Sequence, residues 1–169
     1  SIRSYEKAEL ELERVLTLFH RPDQLNLPTR LQAMNEIAMV HEALGNYVEA
    51  EPMLEELLQR RTESLGTDHN DVIDAQIDLA IVYRRIGKLD QAENRCTELL
   101  SLLNDQNRTQ DDPVLLRCMT ELSKIYLASD KTQQAESLAR NTYERTRLNL
   151  GAKNPKSLKS GQEVGECLR

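Results

Sequence analysis

Four carboxylates recur in step along the chain: Glu36, Asp78, Glu121 and Glu163 follow one another at intervals of 42, 43 and 42 residues. Each stands two positions before a small residue, Ala38, Ala80, Ser123 or Gly165. A row of acids on one face focuses a negative potential, and the chemistry open to it is attraction of a basic or amine-bearing peptide. The competing reading is local. Arg84, Arg85, Arg117 and Lys124 are close in helical phase and could neutralise Asp78 and Glu121 within the array, at about 0 to 1 kcal/mol for each exposed pair.

Covalent chemistry has less to work with. His41 takes the place that Tyr83 and Tyr126 hold in register, so it reads as a packed, hydrogen-bonded histidine, and His69 lies in a turn where it would cap a helix. Cys96 falls on an apolar helical stripe and Cys118 matches Ala33 and Ala75, so both read as small packing residues. The register brings no Ser/His/Asp or Cys/His set into one cleft, and no glycine-rich phosphate loop follows a strand. No catalytic residue, metal ligand or cofactor is expected.

What positions these residues is a repeat. Gly45-Asn46-Tyr47-Val48-Glu49-Ala50-Glu51 returns as Gly87-Lys88-Leu89-Asp90-Gln91-Ala92-Glu93 and as Asp130-Lys131-Thr132-Gln133-Gln134-Ala135-Glu136, and the pair Ala8/Glu9 opens the series. A fixed period of this length marks a stacked array of supersecondary units. Apolar residues at spacings of three and four flank each turn: Leu31, Met34, Ile37 and Ala38 before the first, Ala50, Leu54, Leu57 and Leu58 after it. Two helices joined by a turn therefore make one unit. The chain divides into a half repeat at 1–28 (a second helix), repeats at 29–70, 71–112 and 113–155, and a half repeat at 156–169 (a first helix). Asp112-Pro113 and Asn154-Pro155 look like helix starts, because proline at the first helical position loses a donor that would go unpaired anyway. The last segment, with Gly161 and Gly165 and no second helix, should be the least stable.

The totals fit this plan. Charged residues make up 30% of the 169, aromatics 4%, and there is no Trp, so the core must come from Leu, Ile, Val and Ala of stacked units. A net charge of −6 argues against a general nucleic-acid binder, which needs a basic face to displace counterions. Cys96, Cys118 and Cys167 are odd in number and far apart, which suggests neither a disulfide framework nor a zinc site. No apolar run is long enough to cross a bilayer and no signal peptide opens the chain, so no membrane partner and a cytoplasmic location are expected. Because the chain starts at Ser1 and begins and ends inside repeats, it reads as a piece of something longer.

Ala38 with Ala50, Ala80 with Ala92 and Ser123 with Ala135 resemble the two small positions of tetratricopeptide repeats, at that family's separation of twelve. The period is 42 where about 34 is usual. With Leu65-Gly66-Thr67-Asp68-His69-Asn70-Asp71-Val72 and Leu150-Gly151-Ala152-Lys153-Asn154-Pro155, it resembles the kinesin light chain subclass, also found in nucleotide-binding immune-type receptors. The resemblance implies an all-α, right-handed superhelical solenoid of antiparallel helix pairs whose first helices line a concave groove for extended peptides.

With the small residues facing the partner helix, the groove side would carry the acidic row and also Asn35, Asp74, Arg84, Arg117 and Lys124. Met39, Ile77 and Ile81 either anchor a ligand's apolar side chains or pack between neighbouring helices. Relatives that grip a C-terminal carboxylate use Lys, Asn and Arg at groove positions; here Met39 and Ile81 replace needed polar residues, so that role is not expected. The subclass typically has Asn where this chain has its acids. The expected function is non-catalytic binding of a protein or peptide, basic if the acids stay open. The alternative is self-association into a homo-oligomer.

Overall fold

A computed structural model describes residues 27–106, 108, 109, 112–150, 155 and 162. The second helix expected before residue 21 lies outside the described residues, as do Glu163, Cys167 and nearly all of the first helix expected at 156–169. Six α-helices follow one another: α1 (Leu27–Leu44), α2 (Tyr47–Leu65), α3 (Asn70–Arg85), α4 (Leu89–Asp105), α5 (Pro113–Ala128) and α6 (Thr132–Leu150). Among the described residues there is no strand. The chain divides inside α3 into two compact units, Ser1–Ala75 and Gln76–Arg169.

In the first unit α1 packs on α2. Met34, Ile37 and Ala38 are buried on one helix and Ala50, Leu54 and Leu57 on the other, the stripes that the spacing predicts. His41 is buried as expected, but its Nδ1 has no hydrogen-bond partner among the described residues. The reason is geometric: a tyrosine in this register carries its polar atom at the tip, whereas imidazole keeps a nitrogen at the base of its ring. His69 caps α3, its Nδ1 accepting the Asp71 N–H at 3.1 Å.

The second unit repeats the arrangement. Helix α4 packs on α5, and α5 on α6, with Cys96, Leu99 and Leu103 buried on α4, Leu115, Cys118, Met119, Leu122 and Ile125 on α5, and Ala135 and Ala139 on α6. The small positions are buried. Ala80 and Ala92 have no exposed surface, and the Ser123 hydroxyl donates to the Ala135 carbonyl at 3.0 Å. At the start of α5, Asp112 Oδ1 accepts the Val114 and Leu115 N–H groups at 2.8 and 3.1 Å, ahead of Pro113.

Each hairpin turn is closed by the same two backbone bonds. Gly45 N–H donates to Glu42 O and Asn46 N–H to His41 O; Gly87 to Arg84 and Lys88 to Tyr83; Asp130 to Leu127 and Lys131 to Tyr126. This C-terminal motif needs a left-handed residue, and φ is 79° at Gly45, 83° at Gly87 and 57° at Asp130. Asp130 therefore carries a side chain where the other turns have none, which is sterically costly. Asp130→Gly should raise stability by up to about 1 kcal/mol and Gly87→Ala should lower it by about 1 kcal/mol. Thermal unfolding of the two variants checks this; shifts of the same sign would refute it.

Candidate protein-binding surface

Residues 76–85 of α3 lie in one unit with α5, and charged side chains join the two helices. The Arg117 guanidinium donates to Asp78 Oδ1. One helical turn and a half further along α3, Arg84 Nε donates to Glu121 Oε1 at 2.5 Å, and Lys124 Nζ stands 3.9 Å from the other Glu121 oxygen. Three cations thus meet two carboxylates. The two pairs differ in setting: Glu121 is only 4% exposed and Arg84 is largely covered, whereas Arg117 and Asp78 remain open to solvent on one side. Arg84 also sits in the last turn of α3, where the helix dipole favours a cation.

Of the apolar candidates in this unit, Ile81 is half-buried and Ile77 has no exposed surface. Ile77 lies within the packed interior because an inner helix of an array is covered on more than its hairpin side.

In the first unit α1 presents a different face. Glu36 is exposed and accepts from Gln32 Nε2 at 3.1 Å. Asn35 Nδ2 approaches Met39 Sδ at 3.6 Å, and Met39 itself is 60% exposed. Asp74, in the part of α3 that belongs to this unit, is half-buried.

Some functional-looking contacts escape a reading by helical phase. Lys131 Nζ donates to both Glu93 oxygens at 2.7 and 2.6 Å and lies 5.8 Å from the Tyr126 ring centre. Lys88 repeats the second contact over Tyr83 at 5.8 Å, joined there by Arg95 at 5.6 Å. The hydrogen bond that Lys131 donates to the Glu93 carboxylate raises its amine above the ordinary value. Burial pushes the Tyr126 hydroxyl up, and the Glu93 carboxylate adds to it. The signal that could have found these contacts is a lysine five residues after a tyrosine, recurring with the period. Cys96 and Cys118, taken separately in the sequence, lie side by side: Cys118 Sγ is 3.6 Å from the Cys96 carbonyl oxygen. That hydrogen-bonded neighbour and burial raise the Cys118 thiol above its usual range.

Two open hollows lie along one flank of α6. One, about 380 Å³, is lined by Leu122, Tyr126, Gln134 and Leu138; the other, about 390 Å³, by Arg140, Asn141, Arg145 and Leu148. Among the described residues no group of three His, Cys, Asp or Glu is placed to hold a metal ion, and no helix is long and apolar enough to cross a membrane.

Comparison with known proteins agrees with this architecture. Residues 29–105 match the model of the tetratricopeptide repeat family. A crystal structure of a Podosopora anserina protein described as a kinesin light chain, with nearly identical TPR-like repeats, aligns over 98% of this chain and 81% of its own at 22% identity and a TM-score of 0.76. A single-substitution form of that protein aligns over 98% of this chain and 80% of its own at 22% identity and a TM-score of 0.79. BtubC (BKLC) from P. vanneervenii aligns over 98% of this chain and 64% of its own at 18% identity and a TM-score of 0.70. At these identities the likeness is one of fold. No curated protein sequence matches.

Proposed function

We propose that this chain, whose residues 29–105 match the tetratricopeptide repeat family, is a tetratricopeptide repeat array serving as a non-catalytic module of a larger cytoplasmic adaptor or receptor that binds an extended peptide along its first helices. Its repeats are assigned to 29–70, 71–112 and 113–155. The observation that carries the reading is the outward face of α1. There, Ala38 turns inward while exposed Glu36 and Met39 and half-buried Asn35 lie within about one helical turn. A polar rim around a flexible thioether suits a peptide with one apolar anchor.

Charge refines the ligand. Asp78 and Glu121 already have cations in contact, so the attraction for a basic residue is assigned to Glu36. Asp78, Ile81, Arg84, Arg117 and Lys124 form a mixed-charge stretch that would meet polar ligand groups, with Ile77 and Glu121 supporting it from beneath. Asp74, in the part of α3 that belongs to the first unit, is assigned to the face of that unit.

The test is to select peptides from a random display library on the whole chain and to measure the affinity of an enriched peptide. Enriched sequences should carry Lys or Arg, and Glu36→Lys should weaken binding more than tenfold, while Glu98→Lys on the exposed side of α4 should leave it unchanged. Binding that ignores Glu36→Lys but falls with Glu98→Lys would sink the proposal.

Self-association is the second reading, favoured by Leu148, which is 81% exposed near the end of α6. Sedimentation across a concentration series decides it, because a concentration-independent monomer removes it.

A further inference from the structure

We propose that Cys96 and Cys118 form a redox modification site: a buried pair of thiols that a low-molecular-weight disulfide converts into a reversible bond fastening α4 to α5. Both residues are free thiols without exposed surface. They face each other across two helices packed directly together, with the Cys118 sulfur 3.6 Å from the Cys96 backbone oxygen. A disulfide needs its two Cα atoms about 4.4–6.8 Å apart with converging Cβ atoms, and the Cys118 side chain, which reaches the Cys96 main chain, is aimed at that partner. The register sharpens the point. The positions equivalent to Cys96 and Cys118 one period earlier hold Leu54 and Ala75, a large and a small aliphatic residue, so packing alone does not require two sulfurs here.

The exchange balances as follows. Cys96 loses its proton and attacks one sulfur of the reagent, whose S–S bond breaks; the displaced sulfur leaves as a thiol after taking up a proton. Cys118 then loses its proton, attacks the Cys96 sulfur of the mixed disulfide and releases the second thiol, again protonated. Two protein thiols are oxidised by two electrons and one reagent disulfide is reduced to two thiols. Burial of both thiols confines the first attack to moments when α4 and α5 part, and Cys118, held protonated in its packed setting, ionises for the second attack in that same open state. Once formed, the bond fixes the spacing of the two helices. It thereby holds Glu93 on α4, and Arg117 and Glu121 on α5, in one arrangement.

The experiment uses the full chain carrying Cys167→Ser, incubated with glutathione disulfide, trapped with an alkylating agent and digested with trypsin. Cleavage after Arg95 and Arg117 should give a linked pair of peptides that begin at Cys96 and Cys118. Reduction should separate them, and the oxidised chain should melt on the order of 5 °C higher than the reduced one. Cys118→Ala, which restores the residue found at both earlier register positions, should yield no linked pair and no rise. Alkylated free thiols, a glutathione adduct on each cysteine without a link, or a linked chain that melts lower than the reduced one would each overturn the proposal.

Discussion

Arg84→Ala should destabilise the chain by about 3 kcal/mol, because it leaves the Glu121 carboxylate, 4% exposed, without its close partner. Removing one member of a buried ion pair costs about 3–5 kcal/mol, since the remaining charge has neither water nor counter-charge. The low end applies here because Lys124 still stands 3.9 Å from the other carboxylate oxygen. Chemical denaturation reads the loss as a shift in midpoint. Two controls give the result its meaning. Arg84→Ala combined with Glu121→Leu should recover most of the stability, as the orphaned charge is then gone. Arg117→Ala, which opens the more exposed pair with Asp78, should cost under about 1 kcal/mol. Equal losses from Arg84→Ala and Arg117→Ala would show that burial does not separate the two pairs.

The second large effect is expected in the apolar layer. Leu99→Ala should cost about 2–5 kcal/mol, the range for truncating a fully buried leucine in packing that only partly relaxes. Leu99 is buried on α4 with Cys96 and Leu103, on a helix that packs against α5. In a repeat array a unit leans only on its neighbours, so no distant core makes up the loss. Thr97→Ala, two positions away and exposed, should change stability by no more than about 0.5 kcal/mol. A Leu99→Ala chain that unfolds within about 1 kcal/mol of the parent would contradict this account of the layer.

These effects can be ranked because much of the architecture was written locally. The turns at Gly45, Gly87 and Asp130, the small residues at Ala38, Ala80 and Ser123, and the caps at His69 and Asp112 all follow from short-range rules that recur with the period. Contacts between hairpins are another matter. Helical phase puts Arg84 and Arg117 near Glu121 and Asp78, but it cannot say whether a long side chain reaches its neighbour or extends into solvent. That outcome depends on how closely α3 and α5 approach. Nor does phase reveal that Ile77 has no free surface, since the phase was set by the hairpin partner alone. Cys96 and Cys118 were each legible as small interior residues; that they share one spot depends on the packing of α4 against α5, which leaves no mark in either helix taken alone. On α1, Glu36 and Met39 are exposed, as their phase opposite Ala38 predicts.

The ties between α3 and α5 also act as a label of neighbour identity. Arg84 answers Glu121, and Asp78 answers Arg117, but the equivalents one period on are Leu127 for Arg84 and Glu121 for Asp78, and one period back Asp74 stands where Arg117 does. Were the hairpin of α3 and α4 duplicated in tandem, an aspartate would be set against Asp78. Were the hairpin of α5 and α6 duplicated, a glutamate would be left facing leucine. Outwardly interchangeable modules are therefore keyed to one order, and shuffling them would be penalised by the same pairs that hold the natural order together.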